Sequence, residues 1–254
     1  MLAFIRIIIA TLFIIITTFC ALLYCLINRP RAPKHVYTFC RWFNQLQKII
    51  GVRVEQRGLV NSTNITNAVY ISNHQSVYDF VTTPGMLQPN TVSLGKKSLL
   101  WIPFFGQLYW ITGNILIDRE NKAKARNTIQ QVADAIHQRN LSVWVYPEGT
   151  RSKGRGLLPF KTGAFRMAIE AGVPIIPVVI STTHNKIDLN KLDNGTVIAE
   201  MLAPINTQTF KSTDARQLAE QCHQLMAEKN AQLDNELKQD SYLVSEETSK
   251  ENKA

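Results

Sequence analysis

The segment His74-Gln-Ser-Val-Tyr-Asp79 sets a histidine and a carboxylate five residues apart. A neutral imidazole is the side-chain base suited to neutral pH. A carboxylate on its other ring nitrogen fixes the tautomer and stabilises the imidazolium formed when the ring takes a proton. On one regular helix the two would lie about 140° apart and face different ways. They can meet only if His74 sits in a loop and Asp79 in the first turns of the helix that follows. The surrounding chain allows this, because the apolar run Ala68-Val-Tyr-Ile71 stops at Ser72-Asn73 and an amphipathic stretch comes after. A His and an Asp at this spacing also occur as ordinary surface residues, so the pair gains meaning from what lies downstream.

Three later segments carry groups that complement such a base. Gly113-Asn-Ile-Leu-Ile-Asp-Arg119 places a cation just beyond an apolar, strand-like run. Tyr146-Pro-Glu148-Gly149-Thr150-Arg151 follows another such run, Leu141 to Val145, and combines a carboxylate, a turn glycine, a hydroxyl and a guanidinium. Arginine is the side chain best shaped for bidentate contact with phosphate. Val173-Pro-Ile-Ile-Pro-Val178 is an apolar, proline-bearing strand that could line a greasy wall. Each has a plain structural alternative: strand-end charges are solvated, Gly-Thr marks a turn, and Pro-Ile-Ile-Pro is common core sequence.

Together and in this order, the four segments resemble the motif blocks of the His-x4-Asp glycerolipid acyltransferases, specifically the bacterial-type 1-acyl-sn-glycerol-3-phosphate acyltransferases, across residues 68 to 180. The resemblance implies transfer of a fatty acyl group from acyl-ACP (acyl carrier protein) or acyl-CoA (coenzyme A) to the sn-2 hydroxyl of a lysophosphatidic acid. The product is phosphatidic acid, and no resident cofactor or metal is involved. His74 is then the general base and Asp79 its orienting partner. Arg119 and the Glu148, Gly149, Thr150, Arg151 block bind the acceptor, with Arg151 and Arg119 holding its phosphate. Lys97 and Lys161 are further candidates, although loop lysines are commonly solvated. Val173 to Val178 helps form the acyl-donor region. Acylating a hydroxyl from a thioester requires removal of the hydroxyl proton and stabilisation of a tetrahedral oxyanion. There is no Gly-x-Ser-x-Gly elbow, so direct transfer in a ternary complex is expected rather than an acyl-enzyme.

Composition limits the other classes. The 254 residues are 45% hydrophobic with a net charge of +9, enough for one sizeable core and a preference for anionic partners. No zinc-finger spacing, RNA-binding aromatic signature or dense Lys/Arg tract accompanies the charge, so nucleic acid is not the expected partner. The uncharged run Ile7 to Ile27 is long enough to cross a hydrocarbon core of about 30 Å. It lacks a small-residue cleavage site and is expected to be retained. Arg29, Arg31 and Lys34 follow it against a single Arg6 before it, which predicts the bulk of the chain on the cytoplasmic side of the inner membrane. A monotopic hairpin with Val36 to Ile50 as second arm would place it there too. Cys20, Cys25, Cys40 and Cys222 have no disulfide or metal spacing, which suits a reducing compartment.

β-branched runs alternate with helical patterns through the rest of the chain, predicting one α/β domain with a largely parallel sheet flanked by helices. Strands are expected at 68–71, 91–94, 114–117, 141–146, 175–180 and 196–201, and helices at 77–86, 122–138, 163–171 and 214–238. The resulting division is a membrane anchor over 1–50, an acyltransferase domain over 51–239 and a disordered tail over 240–254. The aromatic stretch Leu99 to Ile111 fits either a core helix or a surface dipping into the lipid interface. Two rival functions remain: an acyltransferase acting on glycerol 3-phosphate or a lysophospholipid, and a non-enzymatic basic protein anchored to a membrane. The second leaves the His/Asp pair without a purpose.

Overall fold

The computed structural model describes the backbone of residues 1–117 and 122–251 and the side chains of 1–117 and 128–239. Seven strands form one sheet in the order β1-β7-β6-β2-β5-β3-β4: β1 Arg53–Arg57, β2 Val69–Ser72, β3 Thr91–Lys96, β4 Ile115–Ile117, β5 Ser142–Val145, β6 Ile175–Ile180 and β7 Thr196–Met201. All neighbours pair in parallel except β6 with β7. Every residue of β2, β5 and β6 is buried. Continuous apolar runs of this kind mark strands covered on both faces. Sequence periodicity missed β1, whose Arg-Val-Glu-Gln-Arg is too polar to read as a strand; it is the partly exposed edge strand, where charged side chains discourage further pairing.

The covering helices are α4 Asp79–Thr82, α5 Phe105–Ile111, α6 Lys122–Gln138, α7 Gly163–Ala171 and α8 Ala215–Glu251, following the N-terminal α1 Leu2–Ile27, α2 Lys34–Phe43 and α3 Leu46–Ile50. α6 and α7 match their expected spans. α4 is shorter than expected because Pro84-Gly85 turns the chain into a 3₁₀ turn, Pro84–Met86. The segment expected to be a disordered tail continues α8 as helix to Glu251. Once nucleated, a helix extends at little cost per residue, and Glu246, Glu247 and Lys250 are good helix formers.

α1 is built inside out. Thr17, Thr18, Ala21 and Cys25 face the protein, packing on α2 and α5 around Phe39 and Leu108, while isoleucines, leucines and phenylalanines point outward. It has a mean hydropathy of 2.6, is long and apolar enough to cross a membrane, and only 17% of its most apolar window is buried in the protein. A soluble core helix shows the reverse pattern, so α1 is a membrane-associating element. Its N-terminal end is tied back to the domain. The Arg6 guanidinium donates to the carbonyls of Leu189, Lys191 and Leu192, and Ala3 N–H donates to Asn190 Oδ1 at 3.2 Å. Arg6 is therefore no free flanking charge, and both ends of a helix about 39 Å long touch the same domain. The aromatic stretch divides between its two expected roles: Leu108 is buried against α1, whereas Trp101 and Phe104 are 82% and 70% exposed.

Candidate active site

Three adjacent parallel strands, β6, β2 and β5, end together. Loops leaving their carboxyl ends meet in the crevice where open α/β sheets place their ligands. His74 lies just past β2, Glu148 to Arg151 just past β5, and Ser181 to Thr183 just past β6.

His74 is in the loop and Asp79 is the first residue of α4, the one arrangement that lets residues at this spacing meet. Nδ1 of His74 is 2.5 Å from Oδ2 of Asp79. The carboxylate also accepts from the N–H groups of Gln75 at 2.9 Å and Ser76 at 3.3 Å, so the loop folds around it. A carboxylate facing Nδ1 places the proton there and leaves the Nε2 lone pair available. Asp79 is only 4% exposed, while the His74 side chain keeps 21% of its surface open. The pair is thus buried on the side that orients and open on the side that reacts.

Glu148 has a different role from the acceptor contact that the motif implied. Its Oε1 accepts from His74 N–H at 2.6 Å and its Oε2 from Leu158 N–H at 3.0 Å, and the residue is 3% exposed. Both oxygens hold backbone, one of them that of the base itself. Burial pushes the Glu148 carboxyl above its ordinary range, with the two N–H donors opposing the shift. Ser152 and Lys153 N–H groups donate to the carbonyls of His74 and Gln75 at 2.8 and 3.0 Å, locking the two loops together.

Positioning residues that sequence reasoning left without a role complete the support. Tyr146 stacks on the imidazole, centroids 4.2 Å apart and planes 19° apart. Its hydroxyl is 3.3 Å from Thr83 Oγ1, which donates to Asp79 O at 2.6 Å. Buried Gln75 satisfies its whole amide on the β6 exit, donating to Ile180 and Ser181 carbonyls and accepting from Thr183 N–H. Asn73 pairs with both backbone groups of Ile180. Their signal in the sequence was adjacency to His74, but amides rarely announce which backbone they will bind.

The cationic half of the site gathers at the Glu148 loop. Gly149 has φ +72°, and a Cβ there would come 2.6 Å from Lys161 Nζ. The left-handed φ favours glycine here, and the Lys161 ammonium lies over this turn. Lys161 N–H also donates to Pro147 O at 2.9 Å. Arg151 is half-buried and Thr150 exposed; among the described residues no carboxylate pairs with Arg151. Lys97, exposed, opens the 3₁₀ turn after β3 and lines a cavity with Arg31 and Trp110. Arg119 lies outside the described residues; β4, which precedes it, ends at Ile117. In the same block Gly113 and Asn114 are structural. A Cβ on Gly113 would come 2.8 Å from Arg31 O, and Asn114 Oδ1 accepts from Ser93 N–H at 2.7 Å. Val173 to Val178 departs from the donor-wall role: Val173, Ile175, Ile176 and Val178 lie in the main core. Pro177 is tolerated in this central strand because its missing N–H falls where β7 has ended at Met201, and its carbonyl accepts from Leu202 N–H at 2.8 Å.

A basic residue oriented by a buried carboxylate at the carboxyl end of a parallel sheet, beside a cationic loop, defines a group-transfer site. The family model described as Acyltransferase matches residues 53–181, from β1 to just past β6, and the chain belongs to this acyltransferase family. The 1-acyl-sn-glycerol-3-phosphate acyltransferases of Salmonella typhimurium and Escherichia coli are each 53% identical to it over 237 residues, covering 93% of this chain and 96% of theirs. That of Haemophilus influenzae is 52% identical over 230 residues, covering 88% and 96%. The crystal structure of the 1-acyl-sn-glycerophosphate acyltransferase from Thermotoga maritima shares the fold, with a TM-score of 0.72 over 91% of this chain and 94% of that one at 24% identity.

Proposed function

We propose that the chain transfers a fatty acyl group from an acyl-ACP or acyl-CoA thioester to the sn-2 hydroxyl of 1-acyl-sn-glycerol 3-phosphate, producing phosphatidic acid. The observation that carries this reading is the 2.5 Å contact of His74 Nδ1 with Asp79, which leaves Nε2 as base at an open edge; relatives above half identity along nearly the whole chain supply the substrate class. In the proposed reaction Nε2 removes the sn-2 hydroxyl proton as that oxygen attacks the thioester carbonyl. The tetrahedral intermediate collapses, the carbon–sulfur bond breaks, and the imidazolium returns its proton to the thiolate. Asp79 stabilises the imidazolium between these steps. Arg151, with Lys161 over the same turn and Arg119 as a further cation, balances the acceptor phosphate, while Lys97 lies instead in the cavity beside Arg31 and Trp110. Glu148 acts by holding the His74 backbone. The transfer is direct and needs no resident cofactor.

Both ends of α1 rest on one domain, so the helix embeds beside the site from one side of the bilayer rather than crossing it. Arg29, Arg31 and Lys34 and a thioester donor made in the cytoplasm favour the cytoplasmic face of the inner membrane. The test is an acyl-transfer assay on the purified full chain with lysophosphatidic acid, glycerol 3-phosphate and a lysophospholipid as acceptors. Phosphatidic acid formation from lysophosphatidic acid, lowered by about 10²–10⁴-fold in His74→Ala, is expected. A preference for either other acceptor would overturn the assignment.

A further inference from the structure

A second cationic centre lies on the opposite edge of the sheet from β1, where the α1–α2 linker crosses the start of β4. The linker is held there by Arg31, whose N–H donates to Ile111 O at 2.8 Å, whose carbonyl accepts from Arg139 Nη2 at 3.0 Å, and whose φ of +60° is unusual for a side-chain-bearing residue. Gly113 leaves room for that carbonyl. The Arg31 guanidinium lies 5.3 Å from the Trp110 ring centroid, within cation–π range. Arg139, half-buried at the end of α6, is lowered in pKa by burial and then by the charge of Arg31. Two guanidiniums are held close enough to repel, and among the described residues no carboxylate pairs with either.

The walls of the larger cavity beside them are mainly apolar. A cavity of about 410 Å³ is lined by Arg31, Lys97, Leu100, Trp110, Ile115 and Leu116 among others, and an adjoining one of about 230 Å³ shares Arg31, Ile115 and Leu116 and adds Arg139. Trp110, which lines the larger cavity, is itself partly exposed, and so are Ile27 just before the linker and Trp101 and Phe104 just after Leu100; tryptophan is a residue type that settles at the level of lipid headgroups. A soluble anion would have no use for these walls. Among the described residues lining the two cavities there is no carboxylate to receive the ammonium of a zwitterionic lipid.

We propose that the cleft between the α1–α2 linker and β4, with Arg31 and Arg139 at its mouth, binds the phosphate of an anionic phospholipid of the surrounding bilayer, its acyl chains lying along Trp110, Ile115 and Leu116. This lipid is separate from the one that reacts at His74, and it fastens the linker of the membrane helices to the edge of the catalytic sheet.

The test measures retention of fluorescent phosphatidylglycerol and phosphatidylcholine by the detergent-purified full chain. Comparison proteins are Arg151→Ala, Arg31→Gln/Arg139→Gln and Arg31→Lys/Arg139→Lys. Phosphatidylglycerol should bind at least tenfold more tightly than phosphatidylcholine. The preference should survive Arg151→Ala, collapse in the double glutamine variant and return in large part in the double lysine variant, which keeps the charge if not the hydrogen bond. Acyl transfer by the double glutamine variant in detergent should match wild type, showing that it folds. Equal retention of the two lipids, loss of the preference in Arg151→Ala, or an unchanged preference in the double glutamine variant would overturn the proposal. Displacement of the lipid by glycerol 3-phosphate alone would overturn it as well, since the site would then be one for a soluble phosphate.

Discussion

Asp79 and Arg6 are both buried charges, and the molecule treats them in opposite ways. Asp79 faces a titratable partner whose far side is open, so the interaction can strengthen as a proton arrives on His74. Arg6 faces only backbone carbonyls of residues 189 to 192, groups whose charge never changes. A buried charge set against a partner that can ionise is poised for chemistry; one capped by fixed dipoles is an anchor. The same contrast separates the regions around them. At the strand ends the polar atoms converge inward on a reactive ring, whereas along α1 Arg6, Thr17 and Thr18 turn toward the protein and most of the large apolar side chains outward.

Breaking the reactive side should have the largest effect. His74→Ala is expected to lower kcat by about 10²–10⁴-fold with the fold intact, read by turnover alongside circular dichroism. Asp79→Asn should be nearly as damaging, because an amide in place of the carboxylate no longer holds the Nδ1–H tautomer. Turnover near wild type in either variant would reduce the pair to a structural contact of the Arg6 kind.

On the substrate side, Arg151→Ala should reduce kcat/KM for lysophosphatidic acid by about 10²-fold, within the roughly 1.5–3 kcal/mol of a charge-assisted hydrogen bond, and a monoacylglycerol acceptor far less. Equal losses on the two acceptors would move the phosphate contact to Lys161 or Arg119.

The anchor should fail in a different currency. Arg6→Ala orphans three carbonyls and is expected to destabilise by about 1–3 kcal/mol, lowering Tm while leaving kcat per folded molecule within about twofold. A kcat loss without a Tm change would show that the α1 tether serves the reaction directly.

Smaller effects sharpen the comparison inside the site. Tyr146→Leu removes a ring stack worth about 0.5–1.5 kcal/mol, so kcat should fall about three- to tenfold with KM little changed. Tyr146→Phe, which keeps the ring, should recover most of that loss. The smallest signal comes from Glu148. Because burial raises its folded-state pKa, the folded protein binds that proton more tightly than the unfolded chain. The stability of wild type relative to Glu148→Gln should therefore decline as pH rises from the ordinary carboxylate range to the raised value, and level off above it. Denaturant titrations across that range would read the slope; a rise instead of a decline would mean the two N–H donors outweigh burial.

Much of this was legible in residue order. The spacing of His74 and Asp79 required a loop followed by a helix start, and the apolar runs of β2, β5 and β6 required strands buried on both faces. Both are local consequences of backbone period and hydrophobic pattern, which need no knowledge of distant residues. What only the tertiary structure decided depends on partners far along the chain. Glu148 reads as a substrate contact until the His74 and Leu158 amides are seen to occupy it. Val173 to Val178 reads as a pocket wall until β6 is seen at the centre of the sheet. Arg6 reads as a topogenic charge until a loop more than 180 residues away closes on it. A side chain's type states what it can bind, but burial and the unpaired groups of a remote segment determine what it does bind, and no local pattern encodes them.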